Sequence, residues 1–185
     1  MPEATDEFIL SLFQNSKTRE QAFEMLLKKY QRVIYYNARR IVTLHEDAND
    51  VTQNVCIKIW RNLDRFRGDS SLKTWITKIC INEALSFIEK KKKLLNLTDD
   101  SYMDFLVVSQ ADTNFISPNE IEQLLQEAIM KLPPKQRAVF TMRYYDETPY
   151  AEMSKIFDTS ESALKASYHF AAEKIKKNIS EHLTF

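Results

Sequence analysis

A chain of 185 residues with a single glycine has very little capacity for tight reversals. The two-residue hairpin turns and bulges of sandwiches and barrels need positive φ, which glycine adopts at least cost. With only Gly68 and five prolines, a fold built on many such turns is excluded. Leu, Lys, Glu, Ala and Ile dominate instead, all good or tolerable in helices. An all-α fold is therefore expected, and its length suits one domain or two small ones, since domains commonly run to about 100 to 150 residues. The same scarcity removes glycine-rich phosphate loops from consideration.

The formal net charge of zero hides a pattern. Residues 1 to 60 carry 8 basic and 8 acidic side chains, residues 61 to 93 carry 9 and 4, residues 94 to 128 carry 0 and 7, and residues 129 to 185 carry 9 and 7. Basic patches are the usual footprint of a polyanionic partner, so this layout suggests two nucleic-acid modules joined by something that is not one. No apolar run approaches the roughly 18 residues that span a bilayer, and the start MPEATDEF is acidic where a signal peptide is basic. A cytoplasmic protein without membrane insertion is expected. Cys56 and Cys80 are far apart and set among apolar residues, as core thiols are; His45, His169 and His182 show no zinc-ligand spacing. No paired carboxylates, activated nucleophile or metal cluster can be assembled, so no catalytic residue, metal or cofactor is assigned.

Periodicity divides the chain. Thr18 with Gln21 reads as a capping box ahead of Ala22, Leu26, Tyr30, Val33 and Ile34, on a helix ending near Val42. A second helix, from about Glu46 to Leu63, stripes Val51, Val55, Ile59 and Leu63 along one side and leaves a polar face for a partner. After the loop FRGDSS, Ser70 or Ser71 caps a third helix with Leu72, Ile76, Ile79, Ala84, Phe87 and Ile88, which runs into Lys90 to Lys93. Residues 94 to 117 lack sustained period and are predicted to be an acidic flexible linker. Ser117, Pro118 and Glu120 mark a new start, giving units at 1–93 and 118–185. The second unit is predicted to hold four helices: one ending at Leu132, one over about Lys135 to Tyr145, one begun by Thr148 and Pro149, and one capped by Ser160.

Ala151, Met153, Ile156 and Phe157, a turn at Asp158 and Thr159, then Leu164, Tyr168 and Ala171 form a helix-turn-helix pattern. Alone it is a weak signal, compatible with any four-helix packing unit. Two longer stretches say more. DVTQNVCIKIWRNLDRFRGDSSLKTWITKICINEALSFI, from Asp50 to Ile88, resembles the second conserved region of extracytoplasmic-function (ECF) sigma factors of bacterial RNA polymerase; LPPKQRAVFTMRYYDETPYAEMSKIFDTSESALKASYHFAAEKIKKNI, from Leu132 to Ile179, resembles their fourth.

The resemblance implies a non-catalytic subunit that binds core RNA polymerase and directs it to promoter DNA, with anti-sigma proteins as candidate partners. It places Asp50, Val51, Gln53, Asn54, Ile57, Lys58, Trp60 and Arg61 against the polymerase clamp helices, with Asn54 where the family usually has an acid. Ordinary core packing is the competing expectation for Val51 and Ile57. It places Phe66, Arg67, Asp69, Ser70, Ser71, Lys73, Trp75, Lys78 and Asn82 at the downstream promoter element, where aromatic faces stack on unpaired bases, Lys holds phosphate and Asn reads a base edge. Trp75 equally suits a core position beside Leu72 and Ile79, and Phe66 a loop anchor. For the upstream element it implies Ser160, Ser162, Lys165, Ala166, His169 and Phe170. Ser167, Phe170 and Ala172 replace the family's common Arg, so recognition shifts toward thymine methyls and His169. Asp158 stands at a usual Gly, which its tolerance of left-handed backbone permits. The acidic stretch resembles the linker threaded through the RNA-exit path. A free-standing helix-turn-helix regulator is the alternative reading.

Overall fold

The computed structural model describes residues 4–98, 101–102, 105–106 and 120–183, and among them there are helices and no strands. In chain order the helices are α1 Asp6–Phe13, α2 Arg19–Val42, α3 His45–Asn62, α4 Leu72–Leu95, α5 Glu120–Met130, α6 Pro134–Tyr144, α7 Tyr150–Phe157 and α8 Glu161–Leu183, with a short 3-10 turn at Leu63–Arg65. Residues 101, 102, 105 and 106 are also helical. The all-α expectation holds, with α1–α4 as one unit and α5–α8 as a helix-turn-helix unit.

Local chemistry explains most boundaries. Ser71 Oγ accepts from the Thr74 amide at 3.0 Å and so opens α4. The left-handed Asn96 closes it, and the Leu97 amide donates to the Lys92 carbonyl at 2.9 Å. Pro134 occupies the first turn of α6, where its missing N–H is harmless. Thr18 precedes α2 as expected but makes no capping bond there; its hydroxyl donates to the Leu12 carbonyl at 2.7 Å and ties α2 to α1. Ser117 and Pro118 lie outside the described residues, so the proposed cap of α5 does too.

In the first unit α2, α3 and α4 pack around Leu26, Ile34, Ile41, Val51, Val55, Ile59, Ile76 and Ile88, all essentially inaccessible to solvent, and α1 adds Ile9 and Phe13. This apolar cluster does not stop at the unit's edge. It continues through Tyr102 and Leu106 into Ala138, Val139, Met142, Met153, Ile156 and Leu164 of the second unit. Within the stretch read as an unstructured linker, α4 thus takes the first two residues, and Tyr102 and Leu106 are buried. A smaller cluster, Ala128, Ile129, Leu132, Phe140, Ala171 and Ile175, belongs to the second unit alone.

Polar links close the seam between the units. Arg40 Nη1 donates to both carboxylate oxygens of Asp146 at 2.7 Å, Thr74 Oγ1 donates to Glu152 Oε1 at 2.7 Å, and Lys78 Nζ donates to Asp158 Oδ1 at 2.6 Å. Beside them opens a cleft of about 440 Å³ lined by Arg32, Tyr36, Lys73 and Thr77 on one side and Met142, Pro149 and Ile156 on the other.

Candidate nucleic-acid interface

Three faces carry the residues singled out in the sequence. On α3, Asp50, Gln53, Asn54, Lys58 and Arg61 are exposed, as a polar stripe opposite Val51, Val55 and Ile59 requires. Val51 is buried, as core packing predicts, but Ile57 is 48% exposed and does not belong to the core. It stands two positions from both Val55 and Ile59, about 200° around the helix from each. Trp60 is partly buried, packed edge-on against Phe13 at 5.5 Å and Phe23 at 5.0 Å with the Arg19 guanidinium over its ring. Its ring organises the α1–α3 junction. Lys58 is ion-paired with Glu83, a nearly buried carboxylate of α4, which links this face to the next.

The second face runs from the loop into the first half of α4. Gly68 sits at φ 78 with open space around its missing side chain, so the backbone conformation alone accounts for glycine here. Arg67 and Asp69 are exposed on either side, Ser70 is half-buried, and Ser71 is held by its capping role. Phe66 and Trp75 pack on each other with ring centres 5.5 Å apart. Each is half-buried, packed against the core with part of its surface left in solvent. Lys73 and Asn82 are exposed, whereas Lys78 is held by Asp158.

The third face is the N-terminal half of α8. Asp158 adopts φ 49, ψ 46, the left-handed turn the pattern demanded. Ser160 Oγ accepts from the Ala163 amide at 3.3 Å and caps the helix. Leu164 and Ala171 face inward, so Ser162, Lys165, Ala166, His169 and Phe170 are all left exposed, Phe170 by 59%. Lys165 Nζ lies 3.9 Å from Glu161 and 5.6 Å from the Tyr150 ring centre, and the His169 and Phe170 rings lie 5.9 Å apart. A convex strip of hydroxyls, one ammonium, one imidazole and one phenyl can enter a major groove edge-on.

Chemistry of another kind finds little support. Among the described residues no group of three or more His, Cys, Asp or Glu side chains could hold a metal ion. Burial pushes the Cys80 thiol up to about 12, and Cys56 is raised by the same cause, so neither offers a thiolate near neutrality. Sequence reasoning missed Arg137. Its guanidinium is fully buried beside Tyr102 with no hydrogen-bond partner among the described residues, and burial lowers its pKa to about 10.

Comparison with known proteins decides between a polymerase subunit and a lone regulator. Residues 26–94 match the Sigma-70 region 2 family and residues 122–175 the Sigma-70 region 4 family, in that order and together over more than half of the chain. The chain belongs to the ECF sigma factors of RNA polymerase. It is 27% identical to the ECF RNA polymerase sigma factor SigW of Bacillus subtilis over 90% of this chain and 93% of that one. It is 29% identical to the RNA polymerase sigma-H factor of Pseudomonas aeruginosa (85% and 86% covered), and 26% identical to the sigma-E factor of Escherichia coli (96% and 95%). Among solved structures its fold is similar to RpoE of Bartonella quintana in complex with the anti-sigma factor NepR, at a TM-score of 0.63 and 20% identity over 85% of this chain and 96% of that chain. It is similar also to CnrH in complex with the cytosolic domain of CnrY, at 0.64 and 18% over 95% and 97%. As a sigma factor, the chain works with core RNA polymerase and promoter DNA, and the free-standing regulator is not favoured. Among the described residues no helix is long and apolar enough to cross a membrane.

Proposed function

We propose that the three faces divide the work of a sigma factor. The polar face of α3, with Asp50, Gln53, Asn54, Ile57, Lys58 and Arg61, grips core polymerase. The exposed Ile57 supplies the apolar centre that a polar stripe otherwise lacks, a pattern common to binding hot spots. The loop Phe66–Ser71 with Lys73, Trp75, Lys78 and Asn82 reads and opens the downstream element. The α8 strip Ser160–Phe170 reads the upstream element. The units 1–93 and 118–185 carry these roles, with residues 94–117 between them. The chain acts as a non-catalytic subunit in the cytoplasm, and a protein partner is a further expectation, since two structural relatives are bound by the anti-sigma factor NepR and by the cytosolic domain of CnrY.

The observation that carries this reading is the exposure pattern. Every position of the α8 strip assigned to DNA faces solvent while Leu164 between them faces inward, and on α3 Asp50, Gln53, Asn54, Ile57 and Arg61 are likewise exposed. The zero net charge fits a subunit that reaches DNA through polymerase, because phosphate neutralisation supplies most solitary affinity. Run-off transcription tests it. Core polymerase plus the chain should give promoter-specific transcripts, and neither alone should. Tight, sequence-specific duplex binding by the chain alone, with no effect on polymerase products, would overturn it.

A further inference from the structure

The cleft of about 440 Å³ lined from α2, α4 and α7 falls in the size range of small-ligand sites, about 300 to 1,000 Å³. Arg32 and Tyr36 stand four residues apart, so they share one face of α2, and both line the cleft; Lys73 lines it from α4. Arg32 and Lys73 are exposed, and among the described residues neither side chain makes a hydrogen bond or an ion pair. Arg40, the third cation here, is already neutralised by Asp146 at 2.7 Å. The Tyr36 ring is 53% exposed, and Val33, Met142 and Ile156 give the same cleft an apolar lining. On the α7 side, Glu152 accepts from Thr74 through Oε1 at 2.7 Å, while among the described residues Oε2 takes no hydrogen bond.

Two unpaired cations, an open aromatic ring and a spare carboxylate oxygen around one small cavity are the complement of a nucleotide. We propose that this cleft binds a free mononucleotide: Arg32 and Lys73 hold the phosphate, Tyr36 stacks on the base, and Glu152 Oε2 accepts from a ribose hydroxyl. A guanidinium and an ammonium both form charge-assisted hydrogen bonds with phosphate oxygens. Stacking on a single ring tolerates every base, so the cleft selects the class of ligand and not the base. A carboxylate taking a ribose hydroxyl is the contact used at dinucleotide sites. The acids also decide between two sources of the same chemistry. A nucleic-acid strand brings further phosphates, which Asp146 and Glu152 would repel, whereas a mononucleotide carries its phosphate at one end only. The site does not depend on the roles proposed for the three faces, and its test needs no polymerase.

Calorimetric titration of the full chain with adenosine 5′-monophosphate tests the proposal. Inorganic phosphate, adenosine, the 2′,3′-dideoxy nucleotide and a short single-stranded oligonucleotide are titrated beside it. Saturable binding of the nucleotide is expected, at least about tenfold tighter than that of phosphate or adenosine, because the two parts are held together. Arg32→Gln and Lys73→Gln should each weaken it about tenfold, the effect of one lost charge-assisted hydrogen bond. Tyr36→Ala should weaken it about tenfold as well while leaving the response to inorganic phosphate unchanged. The dideoxy nucleotide should bind about three- to tenfold more weakly. All three substituted side chains are exposed, so thermal melts of the variants should match wild type. Equal affinity for phosphate and nucleotide would mean an anion patch only, and equal affinity of wild type and the three variants would put the ligand elsewhere. Tighter binding of the oligonucleotide, lost with the same substitutions, would give the cleft to a DNA strand. Each of these results would overturn the proposal, as would the absence of saturable binding at millimolar nucleotide.

Discussion

Where α8 leaves Lys165, Ala166, His169 and Phe170 open to solvent, α4 holds Lys78 against Asp158 and Thr74 against Glu152. The two reading helices also differ in their support. α4 crosses the middle of the large apolar cluster, with Leu72, Ile76, Cys80, Ile81, Ala84 and Ile88 all buried. The second unit divides its apolar residues, giving Ala138, Val139, Met142, Met153, Ile156 and Leu164 to that cluster and keeping a smaller one around Ile129 and Phe140. A helix packed through the large cluster is thus paired with a lighter module whose packing depends partly on its neighbour.

Cavity-forming substitutions give the strongest way to break that comparison. Met153→Ala, at the shared cluster, and Ile129→Ala, in the private one, should each cost about 2 to 5 kcal/mol. Met153→Ala should loosen the hold between the units, whereas Ile129→Ala should open the second unit alone. Hydrogen exchange resolved by segment distinguishes them; protection lost equally in α2 and α4 for both variants would mean a single indivisible core.

Next in size is Arg137. An unpartnered buried guanidinium is costly, so Arg137→Met, which keeps the volume and removes the charge, should stabilise the closed chain by about 1 to 4 kcal/mol. Thermal or denaturant melts would show it. A loss of stability of that size would mean that the charge has a compensating partner.

Cys80 gives a smaller, graded effect. Its folded-state pKa is raised by burial from 9.0 to about 12, so the folded chain keeps a proton that the unfolded chain releases. Its contribution is therefore fully present below pH about 9 and is lost as pH rises toward about 12, at a slope of at most about 1.4 kcal/mol per pH unit. Cys80→Ala should remove that part of the alkaline slope in denaturant titrations. An unchanged slope would place the titrating group elsewhere, Tyr102 being a candidate because burial raises its pKa from 10.0 to about 12 as well.

Most of what positions the site was legible because it is local. One glycine excludes tight-turn architectures, Ser71 and Ser160 announce helix starts through bonds three residues long, and Asp158 marks the turn by its backbone tolerance. What was not legible depends on distant residues. The links Thr74–Glu152 and Lys78–Asp158 join positions 78 and 80 apart, with no periodic signature at either end. Arg137 sits in the quoted LPPKQR stretch, yet nothing in six residues says that Tyr102 will cover it. Tyr102 and Leu106 are too short an apolar pair to read as an element, and only the surface they land on makes them core. The core expectation for Ile57 fails because that residue stands about 200° around the helix from Val55 and Ile59. Helix α1 was missed although Thr5 caps it through the Phe8 amide, because eight residues give little periodicity to detect.

The central claim, that α4 and α8 read different promoter elements within one holoenzyme, is tested most directly by footprints and permanganate-reactive thymines on the same promoter. Lys165 and His169 lie four residues apart on the exposed face of α8, and Asn82 is exposed on α4. Replacing Lys165 and His169 together with Ala should weaken upstream protection by about 1 to 3 kcal/mol per lost base contact. Asn82→Ala should reduce thymine reactivity while leaving upstream protection intact. A Lys165 and His169 double variant that lost strand opening but kept its upstream footprint would contradict the assignment of the two surfaces.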